Sequence, residues 1–382
     1  MQILFIGGTG RLSKDVAKLA ADQGNEVYLL TRGSTSRSMF VDSRYHMLFG
    51  DIKDTIKVKE ILNDYNFDVV IDFLTYDCKQ LYQTLDAIEG KYKQYIFVSS
   101  ATVYKRDNYD ELISEYKTAV GNDKWEYAKK KAQCESEVKN FFQGRTEYYT
   151  IIRPGVTYGN TRIPYPIVPP NTQKEYSFLY RIKIGDPIPE FDNGRTEVTV
   201  TNTKDFAKGV IGLMGNKQAY NEAFHITSDE KVTWGSVLDC LESIMHTKIN
   251  RMGLTQAEIY DAIPYYKEVL IGDKGNKTRY DNSKILSVVP GLSFEIPLKT
   301  GLEETIRFYD NNKNQQLIDY YWMGCIDRLA KMNHYPIVKL TFDKRMDHFN
   351  YLRGRFKILD IIYKSVVRVF RVVNKSAKKF KI

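Results

Sequence analysis

Apolar positions in the first half of the chain come as short blocks, each followed by a turn and then by helical spacing. Gln2–Ile6 is such a block. It runs directly into Gly7-Gly8-Thr9-Gly10-Arg11-Leu12-Ser13, after which Val16, Leu19 and Ala20 recur at helical period until Gly24. Further blocks lie at Glu26–Thr31, before Gly50-Asp51-Ile52, at Phe67–Asp72, at Tyr95–Val98 and at Tyr149–Ile152. Short apolar strands alternating with helical stretches predict crossover units and a parallel sheet.

The expected fold is α/β, a Rossmann-type doubly wound parallel sheet over residues 1–162, with 197–235 returning to it. Four prolines between Ile163 and Asn171 mark a crossing into a smaller α/β substrate lobe, mainly residues 163–310. Within that lobe Ile182–Ile188 and Asp192-Asn193-Gly194 read as turn-linked strands, and Asp205–Leu213 as a helix. Residues 311–350 read as a helical extension and 351–382 as a basic amphipathic tail, helical over 356–373, where Lys357, Asp360, Lys364, Arg368 and Arg371 form one stripe.

Charge sharpens that last division. Residues 351–382 hold ten Lys and Arg against Asp360 alone, which accounts for the whole formal charge of +9. No uninterrupted apolar run reaches the roughly 18–20 residues that span a bilayer. Cys78, Cys134, Cys240 and Cys325 are scattered, so reduced thiols in a cytoplasmic protein are expected. The five His do not cluster at ligand spacing, and no metal site is expected.

Strand, glycine turn and helix together form the context a dinucleotide needs: Gly7, Thr9, Gly10, Arg11 and Leu12 would let backbone N–H groups meet a pyrophosphate at a helix N-terminus. The second block ends in Thr31-Arg32-Gly33, with no carboxylate to repel a 2′-phosphate. Arg32 and Arg11 are candidates to pair with one, so NAD(P) binding leaning to NADP is expected, with surface arginine as the equal alternative. Asp51, beside Ile52, is placed to accept from an adenine amino group, and Phe73 lies beside the cofactor. Ser100 sits at the carboxyl edge of the fifth block, where open parallel sheets bind ligands. Tyr127 and Lys131, four apart on a helix, share a face, so the ammonium is expected to lower the phenol pKa from ~10 and make it an acid/base. Alone that pair means little in a chain with 28 Tyr; its context decides.

Gly7-x-x-Gly10, Gly50-Asp51-Ile52-Lys53-Asp54, Ser99-Ser100-Ala101-Thr102-Val103-Tyr104, Tyr127-x-x-x-Lys131 with Glu135, and Arg153-Pro154-Gly155 occur in this order. Over roughly residues 1–310 the chain resembles the extended short-chain dehydrogenase/reductases, the NAD(P)-dependent epimerase/dehydratase group. The resemblance implies that Ser100 orients the substrate oxygen, that Tyr127 is the acid/base, that Lys131 holds the nicotinamide ribose, and that Pro154 lines the nicotinamide pocket. Ala101-Thr102 stands where family dehydratases carry an acidic pair, as in 4-epimerases, and Thr102 becomes a substrate contact. Val198 stands where nucleotide-sugar members often place an arginine. Arg195 and Arg181 are then the candidates for a substrate phosphate. Leu30–Gly33 and Phe224–Trp234 are similar to the chloroplast stem-loop RNA-binding branch, whose members generally lack the Tyr/Lys pair kept here.

The sequence thus supports an NAD(P)-dependent epimerase or ketoreductase/dehydrogenase acting on a sugar, most simply a nucleotide-activated hexose. The alternative is a non-catalytic nucleotide- or RNA-binding member of the same fold, although nucleic acid is the lesser expectation. A homodimer is left open. The tail has three readings: contact with the inner face of a membrane, docking on the body or on a second subunit, or RNA binding.

Overall fold

Strand β1 (Gln2–Ile6) is flanked on both sides by parallel neighbours, Glu26–Thr31 (β2) in register Gln2 to Glu26 and Phe67–Asp72 (β4) in register Ile3 to Val69. In this computed structural model, residues 1–33, 42–106, 111–159 and 161–379 are described, with side chains as far as 369. The sheet continues with β3 (Tyr45–Phe49) beyond β2, then β5 (Tyr92–Val98), β6 (Tyr148–Pro154) and a seventh strand, Glu222–Ile226, beyond β4. All these pairings are parallel. The order reverses between β1 and β4, which opens the crevice where a doubly wound sheet takes its ligand.

Alternation along each strand serves two cores. Ile3, Phe5, Val27, Leu29, Val69 and Ile71 pack with Val16, Ala17 and Ala20 of helix α1 (Ser13–Asp22) and with Phe206 and Val210 of the helix Thr203–Leu213. Leu4, Ile6, Leu30, Val70, Tyr95 and Phe97 pack on the other face. There they meet Val58 of α2 (Thr55–Ile61), Leu81 and Leu85 of α3 (Cys78–Ala87), and Cys134 and Val138 of α4 (Glu126–Phe141). Burial on both faces is why the strands appear in the sequence as continuous apolar runs.

The chain divides into two units, one of residues 1–166, 196–237 and 268–306, the other of 167–195, 238–267 and 307–382. Residues 268–306, expected in the smaller lobe, belong to the sheet unit. Lys284 donates to the Ala223 carbonyl at 3.0 Å, and Asn282 donates to the Thr227 carbonyl at 2.8 Å.

In the second unit the expected strand Ile182–Ile188 is corrected. Tyr176–Lys183 is a helix burying Tyr176, Leu179 and Ile182, which are three residues apart, and the strand begins only at Ile188–Phe191. Gly185, at φ +78°, makes the turn between them. The helix Arg345–Arg355 crosses the helix Tyr320–Met332 at two glycines. A Cβ on Gly354 would sit inside the contact distance of the Tyr321 carbonyl oxygen, and one on Gly324 would meet the Tyr351 carbonyl oxygen. Backbone, unlike a side-chain tip, cannot rotate away. Gly354→Ala is therefore expected to cost about 1–3 kcal/mol in thermal denaturation. Gly253→Ala, where nothing lies within 4 Å, should change stability by less than about 0.5 kcal/mol.

Candidate active site

The crevice begins at the turn after β1. Gly7, at φ +87°, lies so near Leu74 that a Cβ would come within 2.6 Å of Leu74 Cδ2. Ser13, standing where such turns usually have a third glycine, braces the loop: its hydroxyl donates to the Gly7 carbonyl at 2.7 Å and accepts from the Gly10 N–H at 2.9 Å. Leu12 supplies no side-chain cap to α1, and the Lys14 N–H donates to the Gly10 carbonyl at 3.1 Å. This is a backbone cradle of the kind a pyrophosphate fits. Thr9 is buried in the turn and Leu12 packs against the core, while Arg11 is half-buried.

Around the cradle, Phe73 stacks on Phe5 with centroids 6.3 Å apart. Asp51 accepts from the Lys53 N–H at 3.1 Å, and Ile52 packs on the core that holds Leu4 and Ile6. Arg32 is exposed just past β2, where residues 34–41 lie outside the described ones. Pro154, at the buried end of β6, pairs in register with Ile226.

The residues expected to form an acid/base group come from three elements. Ser100, just past β5, accepts from the Thr102 hydroxyl at 3.0 Å and from the Thr102 N–H at 3.3 Å. It also lies close enough to the Tyr127 phenol to favour its ionised form. Trp125 and Tyr76 flank that phenol, with ring centroids 5.1 and 6.1 Å from it. Lys131 is buried and donates to the carbonyls of Thr75 at 2.6 Å and Val98 at 2.7 Å. The turn carrying Thr75 is held by buried Asp72, which accepts from the N–H groups of Leu74 at 2.8 Å and Thr75 at 3.1 Å.

One expectation is reversed. Burial, reinforced by Tyr76, pushes the Tyr127 phenol up to about 12, with the Ser100 hydroxyl pulling the other way. Lys131 does not offset the burial, because its ammonium points to the two carbonyls. Burial lowers Lys131 itself to about 8.

The two arginines proposed for a substrate phosphate have other surroundings. Arg181 is fully buried and bonded to Asp327 at 2.6 Å, with Asp186 at 3.4 Å, so it cannot meet a solvent-borne ligand. Arg195 is exposed and turned to Asp192, 3.4 Å away.

Sequence reading missed several residues that the fold brings to the site. Arg106, buried, donates to the Ala101 carbonyl at 3.2 Å and to Asp273 at 3.0 Å. Asn122 bridges the carbonyls of Thr102 and Gly272, each at 2.7 Å. Arg162 lies close enough to favour the Tyr127 phenolate. None of these follows a spacing rule, because each partner comes from a distant segment.

Behind the site runs a buried relay. Glu135 on α4 receives Arg153 of β6 at 2.6 and 2.9 Å, and Arg153 donates to the Tyr104 hydroxyl at 2.9 Å. Tyr104 is 3.1 Å from His225 Nδ1, and the Asp281 carbonyl accepts from His225 Nε2 at 2.9 Å.

Residues 3–226 match the NAD dependent epimerase/dehydratase family, and the chain belongs to it. It is 30% identical over 244 residues to the Arabidopsis thaliana chloroplast stem-loop binding protein of 41 kDa b, across 61% of this chain and 60% of that one. The chain thus spans less than two thirds of that relative. Among solved structures, an epimerase from Methanothermobacter thermautotrophicus superposes with TM-score 0.68 at 14% identity, over 82% of this chain and 93% of that one. The Bacillus cereus UDP-glucuronic acid 4-epimerase in complex with NAD superposes with TM-score 0.65 at 17% identity, over 81% and 99%. Both likenesses concern the fold.

Burial lowers His225 from 6.5 to about 4. Between these values the unfolded chain binds the proton and the folded chain does not, so this contribution is complete above about 6.5 and lost as pH falls through about 4. Neighbouring Glu115, raised by burial, acts in the opposite sense. Unfolding stability of wild type and His225→Gln measured from pH 7 to 4 should differ in slope by up to ~1.4 kcal/mol per pH unit, the wild type falling more steeply.

Proposed function

We propose that the protein is an NAD(P)-dependent epimerase or ketoreductase acting on a sugar, with a nucleotide-activated hexose as substrate. The observation that carries this reading is the Ser100–Tyr127 hydroxyl pair, set beside Lys131 at the carboxyl edge of β5 and next to the glycine turn. The bound nicotinamide supplies the redox partner for a carbinol carbon. Ser100 orients the substrate hydroxyl, Tyr127 takes its proton, and the same phenol returns one when the carbonyl is reduced again. Lys131, with two of its three N–H bonds on Thr75 and Val98, keeps one donor for a ribose hydroxyl.

Dehydration is disfavoured. Ala101 carries no acid, the Thr102 hydroxyl is spent on Ser100, and Asp273 is paired with Arg106 at 3.0 Å. A second reading, a non-catalytic nucleotide- or RNA-binding protein, is favoured by the 30% identity to a stem-loop binding protein.

Tyr127→Phe separates the two. With a panel of nucleotide sugars, turnover should fall about 10²–10⁴-fold while dinucleotide binding persists. Normal function in the variant would establish the scaffold reading. For the cofactor, NADP is expected to bind more tightly than NAD, and Arg32→Glu to shift the ratio toward NAD by about tenfold or more. Titration of cofactor fluorescence measures both, and tighter NAD binding by the wild type would overturn the preference.

A further inference from the structure

Exposed helices of water-soluble proteins carry a polar face toward solvent and bury the other. The helix Lys357–Lys379 departs from this rule. Its root is fixed: buried Asp360 accepts from the Tyr321 hydroxyl at 3.0 Å and from Arg353 at 2.8 Å, and pairs with Lys364 at 2.6 Å. Beyond that point the apolar side is uncovered. Ile358, Ile361, Ile362, Val366 and Val369 are between 47 and 67% exposed, and Phe356 is 50% exposed. The rest of its own unit leaves these described residues uncovered.

Lys357, Lys364 and Arg368 share the opposite stripe, which the sequence extends through Arg371 and Lys375 with no further acid. Asp360, the one carboxylate of the segment, is consumed at the root. Pairing with a second copy would bury the isoleucines but give the basic stripe of neither helix a counter-charge. Among the described residues no helix is long and apolar enough to cross a membrane.

We propose that this helix docks flat on an anionic lipid surface. Its Ile/Val face enters the boundary between headgroups and acyl chains, and its Lys and Arg side chains reach back to lipid phosphates. One surface then satisfies both features of the helix, the uncovered apolar side and the cationic stripe. The inference does not depend on the reading of the dinucleotide crevice.

Flotation of the full chain with vesicles tests it, comparing equal parts phosphatidylglycerol and phosphatidylcholine with phosphatidylcholine alone. The chain is expected to float with the anionic vesicles, to be released by salt, and to remain in solution with the neutral ones. The double variant Ile362→Glu, Val366→Glu should keep the wild-type thermal transition, since both positions are exposed, yet bind at least about tenfold less. The proposal is overturned if the wild type ignores anionic vesicles, or if the double variant floats as well. It is also overturned if these substitutions abolish a dimer of a wild type that does not float, which would assign the face to self-association.

Discussion

Helix α4 is tied to the sheet by two buried cations, and the geometry of the crevice depends on that attachment. Lys131 extends from the helix to carbonyls at the ends of β4 and β5, while Arg153 extends from β6 to Glu135 on the helix. Lys131 and Glu135 are four residues apart, so one face of α4 supplies both anchor points, and Tyr127 lies one turn before them on the same face. An ion pair this deep loses much of its Coulombic gain to desolvation, so its worth lies less in net stability than in fixing position. Removing either partner would strand the other charge in the interior. The second Arg153 contact, on the Tyr104 hydroxyl, ties the strand that follows β6 in the sheet into the same arrangement through His225.

The two cations differ in a way that separates scaffold from chemistry. Arg153 meets a carboxylate with fork geometry, which satisfies it. Lys131 bonds to two carbonyl oxygens and lies over the Tyr76 and Phe97 rings, and no carboxylate among the described residues forms an ion pair with it. Burial lowers its pKa, with Asp72 pulling the other way. Buried Lys284, by contrast, has Glu222 at 2.6 Å. A buried ammonium with no carboxylate in ion-pair contact, beside a glycine turn shaped for a diphosphate, is more readily explained by what it binds than by what it stabilises.

The fold was largely legible because its evidence is local and periodic. The strand blocks, Gly7 and Gly10, and the small residue at Ser13 all declare themselves within a few positions. The hydroxyls of Ser100 and Tyr127 were legible for a related reason, each sitting at a fixed offset from a strand end or a lysine. What escaped was long-range. Arg181 gave no sign that Asp327 would enclose it, and Asn122 gave none that Gly272 would lie within its reach. The strand expected over Ile182–Ile188 starts only at Ile188, because Ile182 completes the three-residue spacing of Tyr176 and Leu179 on a helix.

The sign of the Tyr127 shift escaped for a different reason. A lysine four residues away predicts a lowered phenol pKa only if the ammonium faces the oxygen and both stay hydrated enough to be charged. Here the ring is enclosed by Trp125 and Tyr76, and the ammonium points to the sheet. Spacing gives proximity of two residues on a helix face; the direction of a shift depends on what each tip touches. The phenol therefore holds its proton tightly, and the nearby Ser100 hydroxyl is the group that pulls its pKa the other way.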